Sequence, residues 1–330
     1  MDYSPSIFKN GKFHNINPAP VSSPGSSFFS VLYEFFFNKS KEAYPDLPLP
    51  ARKIDLDKLG HLAPDEVCVN WLGHSTVLIT SQDISIITDP VFIKNKLSPF
   101  NLGPKKFPYE VDYQVEDLPK IDLVLISHDH YDHLDKRTVL KLKESKFMVP
   151  LGVKSRLVKW GIEAGQVTEF DWYQEADYSE NLYLAFCPAQ HFSGRSLFDG
   201  NKTLWGSWVM HLRGKTLYFG GDSGYSAEFK KIGEKYGPFD LAMLEDGQYN
   251  TSWKHVHMMP EEAVQAGIDL KAKSVLPIHN SKYVLSIHSW YEPLERLVIE
   301  AKNRGLAIVT PIIGACLVIG KDKPDGRWWV

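Results

Sequence analysis

Residues 127–135 read Ser127-His128-Asp129-His130-Tyr131-Asp132-His133-Leu134-Asp135, three imidazoles and three carboxylates in nine positions. The preceding stretch, Ile121-Asp122-Leu123-Val124-Leu125-Ile126, is short and nearly continuously apolar, the pattern of a strand buried on both faces. The histidine run is therefore expected at the carboxyl end of a core strand. Neutral imidazole nitrogens and carboxylate oxygens suit Zn, Fe, Mn or Co, and the lack of thiolate favours an open catalytic site over a closed structural one. His128 and His130 stand two apart and can converge on one metal in an extended segment. Asp132 and His133 follow a bend and can face a second.

Working outward, Val67 to Leu72, Thr76 to Thr80 and Ile84 to Thr88 read as strands separated by the turns Gly73-His74 and Ser81-Gln82-Asp83, an antiparallel meander. Residues 90 to 119 are rich in proline and aromatics without periodicity, which predicts a long functional loop. Downstream, Lys136 to Lys146 reads as a helix and Leu182 to Cys187, Trp205 to Leu212 and Thr216 to Phe219 as strands. Helices are expected at Ala227 to Tyr236, Pro260 to Leu270 and Pro293 to Arg304. In the last, Leu294, Leu297, Val298 and Ala301 keep the spacing of one helix face, and Gly305 supplies a stop. This alternation predicts two mixed sheets face to face with helices outside. Residues 1–65, rich in Pro, Ser and Asn, are expected to wrap a single domain spanning 66–330.

Composition narrows the function classes. With 330 residues, 43% of them apolar, the chain can build a large core. Its 37 basic and 40 acidic side chains leave a net charge of −3, no electrostatic footprint for nucleic acid. Cys68, Cys187 and Cys316 lie far apart among apolar neighbours, which predicts reduced buried thiols and a cytoplasmic setting. The first twenty residues hold no apolar secretory segment. Residues 28–37 are about half the ~20 residues a spanning helix needs. They read first as a helix packed over the core, and their five phenylalanines also suit peripheral membrane contact, which would matter for a lipid substrate.

A two-metal site needs ligands from elsewhere, and three positions follow strand-like segments. His191 comes after the strand ending at Cys187, Asp222 lies in Gly220-Gly221-Asp222-Ser223-Gly224, and His279 ends Leu276-Pro277-Ile278-His279. His191 can join His128 and His130 on one metal, His279 can join Asp132 and His133 on the other, and Asp222 can bridge both. Asp89, also at a strand end, can accept a hydrogen bond from the ligand loop. His257, in a polar aromatic loop with Trp253 and His255, suits donation to a substrate oxygen or leaving group. His74 is expected to pack inside the domain or support the site, and His288 to line the pocket. No serine nucleophile elbow, P-loop or dinucleotide fingerprint is present.

The run contains the H-x-H-x-D-H pattern as His128, His130, Asp132 and His133, and with His191, Asp222 and His279 the chain resembles the metallo-β-lactamase superfamily. Within it, the chain is similar to the N-acyl-phosphatidylethanolamine phospholipase D-like hydrolases through Trp71-Leu72-Gly73-His74-Ser75-Thr76, Thr88-Asp89-Pro90-Val91-Phe92, Gly103-Pro104-Lys105-Lys106-Phe107 and His257-Met258-Met259-Pro260-Glu261-Glu262-Ala263-Val264. The resemblance runs from about Phe13 to about Gly320. It implies an αββα sandwich of two mixed sheets with helices on the outer faces, and two zinc ions, with Mn or Fe as substitutes. It further implies a hydrolase in which a metal-bridging hydroxide, oriented by Asp132, attacks a phosphodiester of a phospholipid-like or small substrate. Lactone, ester or amide hydrolysis on the same scaffold is the alternative, and a non-enzymatic metal or redox sensor is a more remote one. Two stretches depart from the pattern. Ile278-His279-Asn280-Ser281-Lys282-Tyr283 replaces a usual Ile-His-Trp-Gly-Thr-Phe, and Glu245-Asp246-Gly247-Gln248-Tyr249 replaces a usual Pro-Ile-Gly-Ala-Tyr. The second predicts two carboxylates at the mouth of the site, next to Tyr249, a poor reception for an anionic lipid.

Overall fold

A computed structural model describes residues 4–18, 20, 39–93, 96–97, 103–196, 198–322 and 326–330. Residues 28–37, where membrane contact is expected, lie outside the described residues. A small hairpin, β1 (Ile7–Lys9) and β2 (Lys12–His14), opens the chain. The expected meander follows as β3 (Cys68–Trp71), β4 (Val77–Thr80) and β5 (Ser85–Thr88), all antiparallel. Parallel to β5 runs β6 (Leu123–Leu125), then β7 (Lys146–Pro150) and β8 (Val167–Phe170). With β16 (Cys316–Val318) antiparallel to β3, they form a seven-stranded mixed sheet, β16-β3-β4-β5-β6-β7-β8.

The second sheet repeats the plan. Its antiparallel half is β9 (Glu175–Ser179), β10 (Leu182–Cys187), β11 (Ser207–Leu212) and β12 (Lys215–Phe219). Its parallel half continues with β13 (Leu241–Glu245), β14 (Ser274–Ile278) and β15 (Ala307–Ile308). The helices are α1 (Leu56–Gly60), α2 (Lys136–Lys141), α3 (Val153–Trp160), α4 (Glu228–Lys235), α5 (Pro260–Asp269) and α6 (Glu292–Arg304).

Side-chain alternation shows how the layers stack. Leu184 and Phe186 of β10, Leu217 and Phe219 of β12, and Leu241 and Met243 of β13 share one core with Ile79, Ile87 and Val124 of the other sheet. The intervening Ala185, Cys187, Tyr218, Ala242 and Leu244 pack instead against Phe229 and Ile232 of α4, Val264 of α5 and Leu297 of α6. Both faces of these strands are buried, so they read as continuous apolar runs. The architecture is the αββα sandwich.

Two local expectations need correction. The helix expected over Lys136–Lys146 ends at Lys141, and Lys146 opens β7. Asp135 caps the helix start by accepting from the Thr138 N–H at 2.8 Å, but Phe147, Met148 and Val149 gain more by pairing with β6 than by extending the helix. The three cysteines are not all free thiols: Cys68 and Cys316 are bonded to each other, with Cα atoms 5.7 Å apart, and Cys187 alone is a free thiol. Pairing of β16 beside β3 brings together residues 248 apart in sequence, a neighbourhood that spacing does not reveal. Disulfides are rare in a reducing cytosol, so the cysteines no longer argue for that compartment. No described helix is long and apolar enough to cross a membrane.

The amino-terminal segment lies against the domain. Phe13 is buried in the main core, and the Asn15 side chain donates to the His191 carbonyl at 2.8 Å while accepting from the Trp205 indole at 3.1 Å.

Candidate metal centre

Every side chain of the centre follows the carboxyl end of a strand. His74 turns out of β3, Asp89 follows β5, the 127–135 run follows β6, and His191, Asp222 and His279 follow β10, β12 and β14. Close approach of two of these loops depends on Gly221, whose φ of +58° suits glycine. A Cβ there would come within 2.6 Å of the Ser127 Cβ.

Among the described residues, donor atoms within 4.8 Å of one another form four groups, and two of them hold the expected ligands; a third joins Asp222 and His279 to Glu245 and His257, and a fourth joins Asp89 to His128 and His133. In the first, His130 Nδ1 lies 2.9 Å from His128 Nε2 and 3.4 Å from His191 Nε2, and Asp222 Oδ2 lies 3.9 and 3.7 Å from His128 and His191. In the second are His133, Asp132, His279 and His74. His133 Nε2 is 3.5 Å from Asp132 Oδ2 and 3.1 Å from Asp222 Oδ2, and His279 Nδ1 is 2.9 Å from Asp222 Oδ1. Asp222 thus touches both groups. Sequence reasoning places His74 near the site; the structure puts its Nε2 2.9 Å from Asp132 Oδ2 and its ring 4.1 Å from that of His279.

These separations scatter around the roughly 3.3 Å expected between tetrahedral ligands with bonds of ~2.0–2.1 Å. His133 Nε2 and Asp222 Oδ1 are buried and make no hydrogen bond despite their close neighbours. Orphaned buried polar atoms are costly, and lone pairs aimed at a shared space suit a divalent cation. The donor set therefore fits a pair of metal ions.

Charge is distributed accordingly. Burial, then neighbouring imidazoles, holds His128 well below the usual histidine range; burial also depresses His130 and His191. Burial opposes ionisation of Asp222, but His133 and His279 keep its carboxyl well below the ordinary value. Asp132 is ionised in the same way by His133 and His74.

Around the donors is a scaffold of hydrogen bonds. His133 Nδ1 donates to Asp89 Oδ2 at 2.7 Å, and Asp89 also accepts from the Ser127 backbone N–H at 2.7 Å and the Ser127 hydroxyl at 2.5 Å. The same hydroxyl accepts from His128 Nδ1 at 2.9 Å. One carboxylate thereby orients two imidazoles, in keeping with the carboxylate–histidine pairs of metal sites. His191 Nδ1 donates to the Val256 carbonyl at 3.0 Å, and Ser75 Oγ lies 3.1 Å from His279 Nδ1. Arg195 donates to the carbonyls of Asp129, His130 and Leu134 at 2.7, 3.2 and 2.7 Å, clamping the backbone of the run.

The expected pair of carboxylates at the mouth is not there. Glu245 and Asp246 are 2% and 0% exposed. Glu245 Oε2 accepts from His257 Nδ1 at 2.7 Å and Oε1 from the Met258 N–H at 2.7 Å. Burial opposes a charge on His257, but Glu245 overrides it and pushes the imidazole up to about 9. Burial, then Glu245, pushes the Asp246 carboxyl well above its ordinary value. The sequence does not reveal that a buried partner faces the first carboxylate and that a dry environment opposes charge on the second. His257, half-buried, lies between the two groups, 5.1 Å from the His191 ring and 5.5 Å from that of His279.

Tyr249 and Trp253 follow β13, and His288 follows β14. Tyr249 stacks on His288 at 4.3 Å and donates to Glu292 at 2.6 Å, while the Trp253 indole donates to the Gln248 carbonyl at 2.7 Å. Ser75, Ser127, Arg195 and the role of Glu245 escape sequence reasoning. Ser127, next to the first histidine, carried the nearest signal.

The model of the β-lactamase superfamily domain matches residues 85–280. An uncharacterized protein of Mycobacterium tuberculosis is 37% identical over 98% of this chain and 87% of its own. The N-acyl-phosphatidylethanolamine-hydrolyzing phospholipase D 1 of Caenorhabditis elegans is 36% identical over 76% of this chain and 74% of its own. Among solved structures, the metallo hydrolase Igni18 from Ignicoccus hospitalis shares the fold with a TM-score of 0.60 and 24% identity, covering 78% of this chain and all of that one. The chain belongs to the metallo-β-lactamase superfamily of metal-dependent hydrolases.

Proposed function

We propose that the protein is a binuclear, zinc-dependent phosphodiesterase acting on a phospholipid-like or small diester. The observation that carries this reading is the convergence of two donor groups on the shared carboxylate of Asp222. His128, His130 and His191 would hold one ion, Asp132, His133 and His279 the other, with Asp222 between. When bound, a pair of ions supplies a nucleophile from water at neutral pH and neutralises charge on the phosphoryl oxygens.

The chain's own residues do the rest. His74, through Nε2, fixes the Asp132 carboxylate, and Asp89 fixes His133 directly and His128 through Ser127. Glu245 engages His257 through Nδ1, so Nε2 is the atom from which a proton passes to the leaving-group oxygen. The 36% identical phospholipase D relative supports a diester substrate, and burial of Glu245 and Asp246 removes the electrostatic objection to an anionic lipid.

The test is metal analysis of purified protein, then assay against N-acyl-phosphatidylethanolamine vesicles, bis(4-nitrophenyl) phosphate and a lactone panel. Two ions per chain and chelator-sensitive diester hydrolysis are expected. Fewer than two ions would refute the binuclear reading, and hydrolysis of lactones with no diester turnover would refute the substrate class.

A further inference from the structure

The departure at Asn280-Ser281-Lys282-Tyr283 places a lysine in the interior, just after His279. Lys282 is 3% exposed. Its Nζ donates to the carbonyls of Val91 at 3.1 Å, Leu72 at 3.3 Å and Gly73 at 3.4 Å. Three acceptors match the three protons of an ammonium. The side chain thus spans three loops: the turn that carries His74, the segment after Asp89, and its own loop after His279.

Inside that last loop, Asn280 Nδ2 donates to the Ile278 carbonyl at 3.1 Å and the Ser281 hydroxyl to Asn280 Oδ1 at 2.9 Å. His279 and Ser281 both adopt left-handed backbone conformations, φ +63° and +55°, which non-glycine residues hold only when their surroundings enforce them. Further enforcement comes from outside. His279 N–H donates to the His74 carbonyl at 2.9 Å, His74 N–H to the Asn280 carbonyl at 3.0 Å, and Phe107 N–H to the Lys282 carbonyl at 2.8 Å. Tyr109 donates its hydroxyl proton to the Ser281 carbonyl at 2.6 Å. These backbone bonds tie the loop to the His74 turn and to the 103–109 segment. Lys282 adds a hydrogen bond from a side chain to the Asp89–Val91 segment, whose carboxylate orients His133, beside the apolar packing of Tyr283 on Val91.

We propose that Lys282 is a positioning residue for the second metal position, holding the loops of His74, Asp89 and His279 at a fixed separation. Its hydrogen bonds all go to backbone carbonyls, so it acts through the ligand loops. The inference rests on the two-ion reading above. Loss of a tie behind the ligands of a metal typically weakens binding by about tenfold to a hundredfold, and the ion held by Asp132, His133 and His279 should feel it most.

The test compares wild type, Lys282→Met, Lys282→Gln and His279→Ala by titration of the apo protein with Co(II), followed by visible absorption and metal analysis, with kcat and KM measured afterwards. Lys282→Met should weaken one ion at least tenfold and leave the other within about threefold. The remaining Co(II) spectrum should match that of His279→Ala, with kcat falling more than KM changes. Lys282→Gln, which keeps a donor, should lie between wild type and Lys282→Met. If Lys282→Met does not fold, Lys282→Gln carries the same criterion. Wild-type affinities and spectra in both variants would overturn the proposal, as would equal weakening of both ions, which marks a global defect. A wild-type protein that binds fewer than two ions overturns the two-ion reading and this proposal with it, whereas two ions in wild type and both variants alike sinks the role of Lys282 alone.

Discussion

Replacing Asp89 with Asn isolates what one buried carboxylate does for the centre. The backbone there has φ +36°, a region asparagine tolerates well, and the side chains are nearly isosteric, so the hydrogen-bond pattern is the variable. Two carboxylate oxygens serve three donors: Ser127 N–H on Oδ1, and Ser127 O–H and His133 Nδ1–H on Oδ2. An amide offers one acceptor and one NH2 group. Whichever way it turns, at least one buried donor faces another donor, at a cost of about 1–3 kcal/mol. The lower end is expected, because burial already disfavours the ionised carboxyl of Asp89. Loss of the oriented His133, and of His128 through Ser127, should weaken metal binding by about tenfold to a hundredfold, roughly 1.4–2.8 kcal/mol. Denaturant unfolding of the apo protein measures the first quantity, and competition with a chromophoric chelator the second. An Asp89→Asn protein that holds both ions within threefold of wild type would refute the claim that this carboxylate orients the ligands.

Other expectations follow from the same geometry. His257→Gln should lower kcat for a diester by about 100-fold to 10,000-fold with two ions still bound by metal analysis; lost metal would instead make His257 a ligand. Phe219→Ala removes a fully buried ring between the sheets and should cost about 3–5 kcal/mol in denaturant unfolding, so a loss below 1 kcal/mol would contradict the sandwich interior. Asp199 accepts from the N–H groups of Arg195 and Ser196 and from Arg156. Burial opposes ionisation, but these donors bring its carboxyl down to about 2. A depressed folded pKa stabilises above the unfolded value and is lost as pH falls, so the stability gap between wild type and Asp199→Asn should be full above pH ~5 and close towards pH 2; a gap that widens in acid would reverse the sign. Chelation should lower the melting temperature, since an ion at a hundred times its Kd adds about 2.7 kcal/mol.

How far the sequence discloses this fold depends on whether a segment's signal is local. The meander of β3 to β5 and the helix α6 are legible because short apolar segments bounded by turn residues, and a helical face ended by the Gly305 stop, lie within a few positions of one another. β7 and β8 are not, because Lys146–Pro150 and Val167–Phe170 become strands only by lying parallel to β6 at the far side of long connections. The Cys68–Cys316 pair is invisible for the same reason, since β16 and β3 are neighbours in the sheet but lie 248 residues apart along the chain at these cysteines.

The centre divides along a related line. Histidines and aspartates at strand ends announce themselves because metal chemistry demands those residue types, and the structure brings all seven of the expected donors into two adjacent groups, with Asp222 of one within reach of His133 and His279 of the other. What holds them does not announce itself. Ser127 relays Asp89 to His128, Arg195 clamps three carbonyls of the run, and Glu245 turns from an expected surface repulsion into the buried partner of His257. Each acts through a partner that only the folded chain supplies: a backbone carbonyl, a neighbouring hydroxyl, a dry wall. A carboxylate's sign in a sequence thus says little about the field it makes. Glu245 in water would repel an anion, whereas 2% exposed it accepts a hydrogen bond from His257 and raises that imidazole's hold on its proton.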